Sequence, residues 1–205
     1  MKKQFKIFFA VLIFTFAAIN IAIATEENPV NMLQSLADQM IDGLKSNKLI
    51  LKSDPKKSYA LAYKLVVPHA DIAEMSKRVL PPKIWHKATS TQRSTFEIEF
   101  TKLLVKTYSS ALSDYTNQTV KFYPVRGGYK GKSTVSVSSQ ILRSDGPPVR
   151  ISYNLVSTSS QWKLYDMSVE GISLLESFRS QFASKLAAGN IDSLIGDLKR
   201  HNASR

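Results

Sequence analysis

The sequence predicts an α+β fold: a curled antiparallel sheet of about four strands packed against several helices, enclosing an apolar pocket. Three observations predict it. Apolar residues recur at helical spacing from Pro29 to about Tyr115, alternate with polar residues from about Val120 to Val169, and return to helical spacing after Gly171. Strands joined by short turns make an antiparallel sheet with one apolar face, and the flanking helices must bury their own apolar stripes against it. The chain accordingly divides into a signal peptide over 1–24 and a single domain over 25–205, helical over 25–116, sheet over 117–170 and helical again over 171–205.

The elements follow in order. Pro29 opens the first helix at a favourable early position, and Met32, Leu33, Leu36, Met40, Ile41 and Leu44 form its stripe. Asp54-Pro55 starts a second helix as N-cap and first-turn proline, with Tyr59, Leu61, Ala62, Leu65 and Val66 as its apolar side, and Pro68 stops it. A short helix is expected over 70–79, and Pro81-Pro82 break the chain before Ile84-Trp85. Thr89 to Gln92 has the spacing of a capping box, and Phe96, Phe100, Leu103, Leu104, Tyr108 and Leu112 extend a wide stripe behind it, which predicts one long helix over about 90–115. Strands are expected around Val120 and Phe122, over 133–141, over 149–155 and over 162–169, with turns at Gly127-Gly128 and Asp145-Gly146-Pro147-Pro148. One helix then carries Ile172, Leu174, Leu175, Phe178 and Phe182 and ends at Gly189, and a last short one carries Ile191, Leu194, Ile195 and Leu198.

The N-terminus predicts export. Lys2, Lys3 and Lys6 precede an apolar run from Ile7 to Ile23, and Ala22-Ile23-Ala24 offers small residues where a signal peptidase reads, so cleavage is expected after Ala24. An uncleaved anchor is the competing reading, since the run is almost long enough to span a bilayer. The chain has no cysteine, which removes disulfides, thiolate metal sites and a lipoprotein anchor from consideration. Cleavage removes three lysines and no acid from the 28 basic and 16 acidic residues, taking the formal charge from +12 to +9. Export argues against nucleic acid as the partner of this charge and leaves anionic membrane surfaces, acidic proteins, or solubility alone. The remaining 181 residues suit one full-sized domain, and no Gly, Ser or Pro-rich linker or internal repeat divides them.

Catalytic groupings are not evident. His69, His86 and His201 lie at no metal-ligand spacing, and neither a GxSxG elbow, a phosphate loop nor a GxGxxG occurs. Asp71, Glu74, Glu97 and Glu99 fall on helices beside basic residues, where ion pairing explains them. What remains is three apolar surfaces: the sheet face, the long helix, and the helix after Gly171. Each reads as packed core, but a curled sheet covered by helices can also leave an apolar cavity, the usual form of a small-molecule site.

A family resemblance is carried by specific residues. Asp71, Met75, Val79-Leu80, Trp85, Ala88-Thr89, Gln92-Arg93, Phe96, Phe100, Leu103-Leu104 and Tyr108 form one pattern, and the run from Trp162 to Leu175 followed by Phe178-Arg179-Ser180-Gln181-Phe182 forms a second. Together with Asn28-Pro29 and Gly189-Asn190-Ile191-Asp192, the chain resembles the MlaC family, also called the toluene-tolerance auxiliary family, over essentially all of the expected mature length. Leu80-Pro81-Pro82 departs from the Leu-Gly common there. The resemblance implies a non-enzymatic, periplasmic phospholipid carrier with no cofactor beyond its lipid cargo. It would shuttle lipid between an outer-membrane lipoprotein–porin complex and an inner-membrane ABC transporter complex, maintaining outer-membrane lipid asymmetry.

On that reading the lipid tails are expected against the sheet face at Val135, Val137, Ile151, Tyr153 and Leu155, and against the facing helices at Leu104, Tyr108, Ile172 and Leu175. Lys77, Arg78, Lys83 and Lys87 are candidates for head-group or partner docking. A chaperone for lipoprotein or apolar peptide would use a similar hollow. An enzyme on a cone-shaped fold would need a polar constellation inside it.

Overall fold

The computed structural model describes residues 27–47, 54–113, 117–144, 146–159, 161–188 and 190–204. Seven helices among them are α1 (Pro29–Ser46), α2 (Pro55–Val66), α3 (Ile72–Val79), α4 (Pro82–Lys87), α5 (Ser90–Ser113), α6 (Leu174–Ala188) and α7 (Ile191–Ala203), with a 3-10 turn at Val67–His69. Strands β1 (Thr119–Phe122), β2 (Thr134–Leu142), β3 (Val149–Thr158), β4 (Gln161–Val169) and β5 (Ile172–Ser173) form one antiparallel sheet in the order β1-β2-β3-β4-β5. The expected signal peptide and its cleavage site lie outside the described residues, as does the expected helix end at Gly189.

Local chemistry fixes the boundaries. Asn28 caps α1 by accepting the Val30 N–H at 2.9 Å, and Asn190 caps α7 by accepting that of Ser193 at 3.0 Å. The capping box at α5 is reciprocal: Gln92 donates its N–H to the Thr89 hydroxyl at 3.2 Å, and Thr89 donates its own to Gln92 Oε1 at 2.9 Å. Pro68 falls in the 3-10 turn that ends α2.

Two expectations need correction. The helix foreseen over 70–79 begins at Ile72, because Ala70 forms a parallel bridge to Leu164 and Asp71 becomes the N-cap, accepting the Glu74 N–H at 2.9 Å. The sheet has the four expected strands and a fifth of two residues. Glu170 and Gly171 take φ of 49° and 83°, which reverses the chain tightly enough for Ile172 and Ser173 to pair back on Val169 and Ser168. Ile172 is therefore on a strand, and the helix starts at Leu174. A strand of two residues has no period to read.

The apolar side chains gather in two clusters. One is helical, where Phe96 and Phe100 of α5 stack at 5.5 Å and meet Phe178 and Phe182 of α6 edge-on, joined by Val79, Leu80, Leu194 and Leu198. The other lies on the sheet, where Val135, Val137, Leu155 and Trp162 pack against Met32 and Leu33 of α1. Trp162 also donates its indole N–H to the Glu27 carbonyl at 2.8 Å, which ties the start of α1 to β4.

Candidate functional site

Register places all five sheet candidates on one face. Val135 lies opposite Leu155, Val137 opposite Tyr153 and Ser139 opposite Ile151, while Leu155 and Tyr153 lie opposite Leu164 and Met167 of β4. Coverage of that face is uneven. Val137 and Leu155 are fully buried and Val135 is nearly so, all within the cluster that α1 covers. Tyr153 is half-buried, with its ring 5.7 Å from Phe122 and its hydroxyl accepting from Ser139 at 3.3 Å. Ile151 is buried but belongs to neither cluster, and Met167 and Val169 beyond it are half-buried.

The helical candidates divide similarly. Leu175 is buried inside the helical cluster and Leu104 packs half-buried against it. One turn further along α5, Tyr108 is 36% exposed and meets Phe178 edge-on at 6.5 Å. Ile172 is 67% exposed on β5. Burial raises the phenol pKa of both Tyr108 and Tyr153, in the latter against the lowering effect of the Ser139 hydrogen bond. Both rings therefore stay neutral and can share an apolar lining with aliphatic groups.

The basic candidates sit elsewhere. Asn154 and Asp166, and Ser152 and Ser168, alternate with the apolar residues and so define the opposite, polar face of the sheet. There, a cleft of about 440 Å³ is bounded by Lys77, Arg78, Tyr165, Asp166 and Arg179. Arg78 stacks 4.2 Å over the Tyr165 ring and pairs with Glu74 at 2.7 Å, while Lys77 lies 3.8 Å from the same carboxylate. Lys83 and Lys87 are exposed on α4.

Two features here escape sequence reasoning. Tyr165 is the extra residue of a β-bulge, because Asn154 faces Asp166 while Leu155 faces Leu164. The bulge sends the Tyr165 side chain toward the helical cluster. Asp166 is 8% exposed and accepts from the Ser173 hydroxyl at 2.8 Å, the Met167 N–H at 2.8 Å and the Leu175 N–H at 3.2 Å. It joins the sheet to the first turn of α6. The visible signal was an acid inside an otherwise apolar-alternating strand, a few residues before a helix start.

Among the described residues, no group of three or more His, Asp or Glu side chains is placed to hold a metal ion, and no helix is long and apolar enough to cross a membrane. The geometry is that of an α+β binding domain built around apolar surfaces, with its polar groups spent on caps and ion pairs. The model of the MlaC protein family matches residues 34–200, and the chain belongs to that family. It is similar to the toluene tolerance protein ttg2D of Pseudomonas putida, with 28% identity over 181 residues, covering 88% of this chain and 83% of that protein. It is also similar to the intermembrane phospholipid transport system binding protein MlaC of Haemophilus influenzae, with 26% identity over 204 residues, 96% of this chain and 94% of that one. A solved structure of the phospholipid-binding protein from Ralstonia solanacearum, in complex with a phospholipid, superposes with a TM-score of 0.78 at 27% identity, covering 86% of this chain and 98% of that one.

Proposed function

We propose that this protein is a periplasmic phospholipid carrier that holds the acyl tails between the apolar sheet face and helices α5 and α6. The observation that carries the reading is the likeness, over nearly the whole of both chains, to a protein solved with a phospholipid bound. The physics agrees. Two tails of roughly fifteen carbons each, at about 0.8 kcal/mol per CH₂, would cost on the order of 20 kcal/mol to expose to water. A carrier must bury them and needs few polar groups inside.

The half-buried side chains are the best tail contacts, because they have room to move without breaking a sealed core. Tyr153 on the sheet and Leu104 on α5 fit that description, while Ile151 is buried outside both packed clusters and Tyr108 is 36% exposed. Val135, Val137 and Leu155 are sealed in the sheet cluster and Leu175 in the helical one. Ile172, being largely exposed, suits contact with a partner better than contact with a tail. Lys77 and Arg78 border the cleft on the sheet's other face, away from the proposed tail contacts, so docking on a partner's acidic surface suits them better than holding a head group. The partners would be the outer-membrane lipoprotein–porin complex and the inner-membrane transporter complex, and the outcome outer-membrane lipid asymmetry.

Transfer tests this reading. Delipidated protein incubated with vesicles of fluorescent phospholipid should extract lipid and deliver it to acceptor vesicles. No extraction by a folded, delipidated protein would refute it.

A further inference from the structure

The outer face of α2 and α5 has a composition the carrier reading does not use. Helix α2 carries Lys56, Lys57 and Lys64 and no acid. Two of these lysines stand in its first turn, where the helix dipole disfavours cations. The same helix buries Ser58 and Ala62 and turns Tyr63 outward, with 45% of its surface exposed. Tyr59 stacks against Tyr63 at 6.0 Å.

Helix α5 packs along α2 and completes the patch. Lys102 lies close enough to both tyrosines to interact with them electrostatically. Ile98, one turn earlier on the same side of α5, is 52% exposed. Asp54 lies just before α2, and α5 carries the half-buried Glu97 and Glu99, the latter 7% exposed and already bound to Lys102 at 2.8 Å and Asn202 at 2.8 Å.

We infer that this face, centred on Lys57, Tyr63, Lys64 and Ile98, is a peripheral docking surface for an anionic phospholipid bilayer. Tyrosine is the side chain that favours the boundary between head groups and water, since its ring is apolar and its hydroxyl is wet. An exposed isoleucine beside it can enter the acyl boundary, and lysines around both meet anionic head groups. A basic, acid-free helix displaying an aromatic pair is complementary to such a surface. The inference stands on the composition of this face and not on the cargo assignment.

Vesicle co-sedimentation decides it, using protein expressed from the full chain and purified from the soluble fraction, with its mass measured to define its N-terminus. Wild type should bind vesicles containing phosphatidylglycerol, weakly or not at all phosphatidylcholine alone, and release as salt rises. The double variant K57Q/K64Q should bind anionic vesicles on the order of 25-fold more weakly, about fivefold for each lysine. Y63S/I98S should lose about tenfold or more, through lost apolar insertion. K130Q/K132Q, the same charge change on an exposed loop, should bind as wild type, and K57R/K64R should retain binding. Thermal midpoints check that each variant is folded, and extracted lipid per protein, measured on the same samples, should stay unchanged. Absent binding by wild type, equal binding by the face variants, an equal loss in the loop variant, or equal affinity for uncharged vesicles would each overturn the inference. A change in cargo alone would bear on the carrier reading instead.

Discussion

Asp166 shows how much one side chain can organise. Its carboxylate accepts from Ser173 and Leu175 at the start of α6 while sitting on the polar face of β4. Replacing it with alanine leaves a buried N–H and a hydroxyl without their acceptor, and should cost about 3 kcal/mol in urea unfolding. Asp166→Asn, which keeps one acceptor oxygen, should cost less. Gly171 makes a contrasting case. Its φ is 83° and the space around a Cβ there is open, so Gly171→Ala should cost only the backbone strain, about 1 kcal/mol. Val137 is fully buried against Leu155 and Trp162, so a tryptophan there overpacks a filled site by about 1–3 kcal/mol. A bulky residue at half-buried Tyr153 or Leu104 is the better probe of cargo. Either Tyr153→Trp or Leu104→Trp should lower lipid carried per folded protein, measured by extraction, with the thermal midpoint nearly unchanged.

Between elements, the contact of α5 with α7 depends on charge. Burial would raise the Glu99 carboxyl, but its hydrogen bonds from Lys102 and Asn202 outweigh this and hold its pKa below the usual value. A carboxyl depressed in the folded state contributes stability above its unfolded pKa and loses it as pH falls through the folded value. Unfolding free energy measured across the acid range should therefore fall as Glu99 protonates, and Glu99→Gln should flatten that part of the curve.

Most helices were legible in the sequence because their caps are local. Thr89 with Gln92, and Asn28 before Pro29, announce helix starts through hydrogen bonds two or three residues apart. The three long strands β2, β3 and β4 were legible because apolar residues recur on one face along their length. Missed were β5, the bulge at Tyr165 and the role of Asp166, all of which depend on what a residue meets across the sheet. The candidate site was half legible for the same reason. Periodicity tells which residues face inward, but not which of these are sealed, as Val137 is, and which remain half-open, as Tyr153 is.

For the whole molecule, the separation of apolar from charged surfaces is the feature that function must explain. The sheet face and the aromatic cluster of α5 and α6 form two packed regions with half-buried side chains at their margins, while a cleft edged by Lys77, Arg78 and Arg179 lies on the sheet's other face. Such an arrangement suits a protein that encloses an apolar cargo and meets its partners by charge. Native mass spectrometry of the protein purified from the soluble fraction, with lipid extraction alongside, tests this most directly. The account predicts a discrete mass excess that extracts as phospholipid and diminishes in Tyr153→Trp. A bare protein mass that persists after incubation with phospholipid vesicles would contradict it.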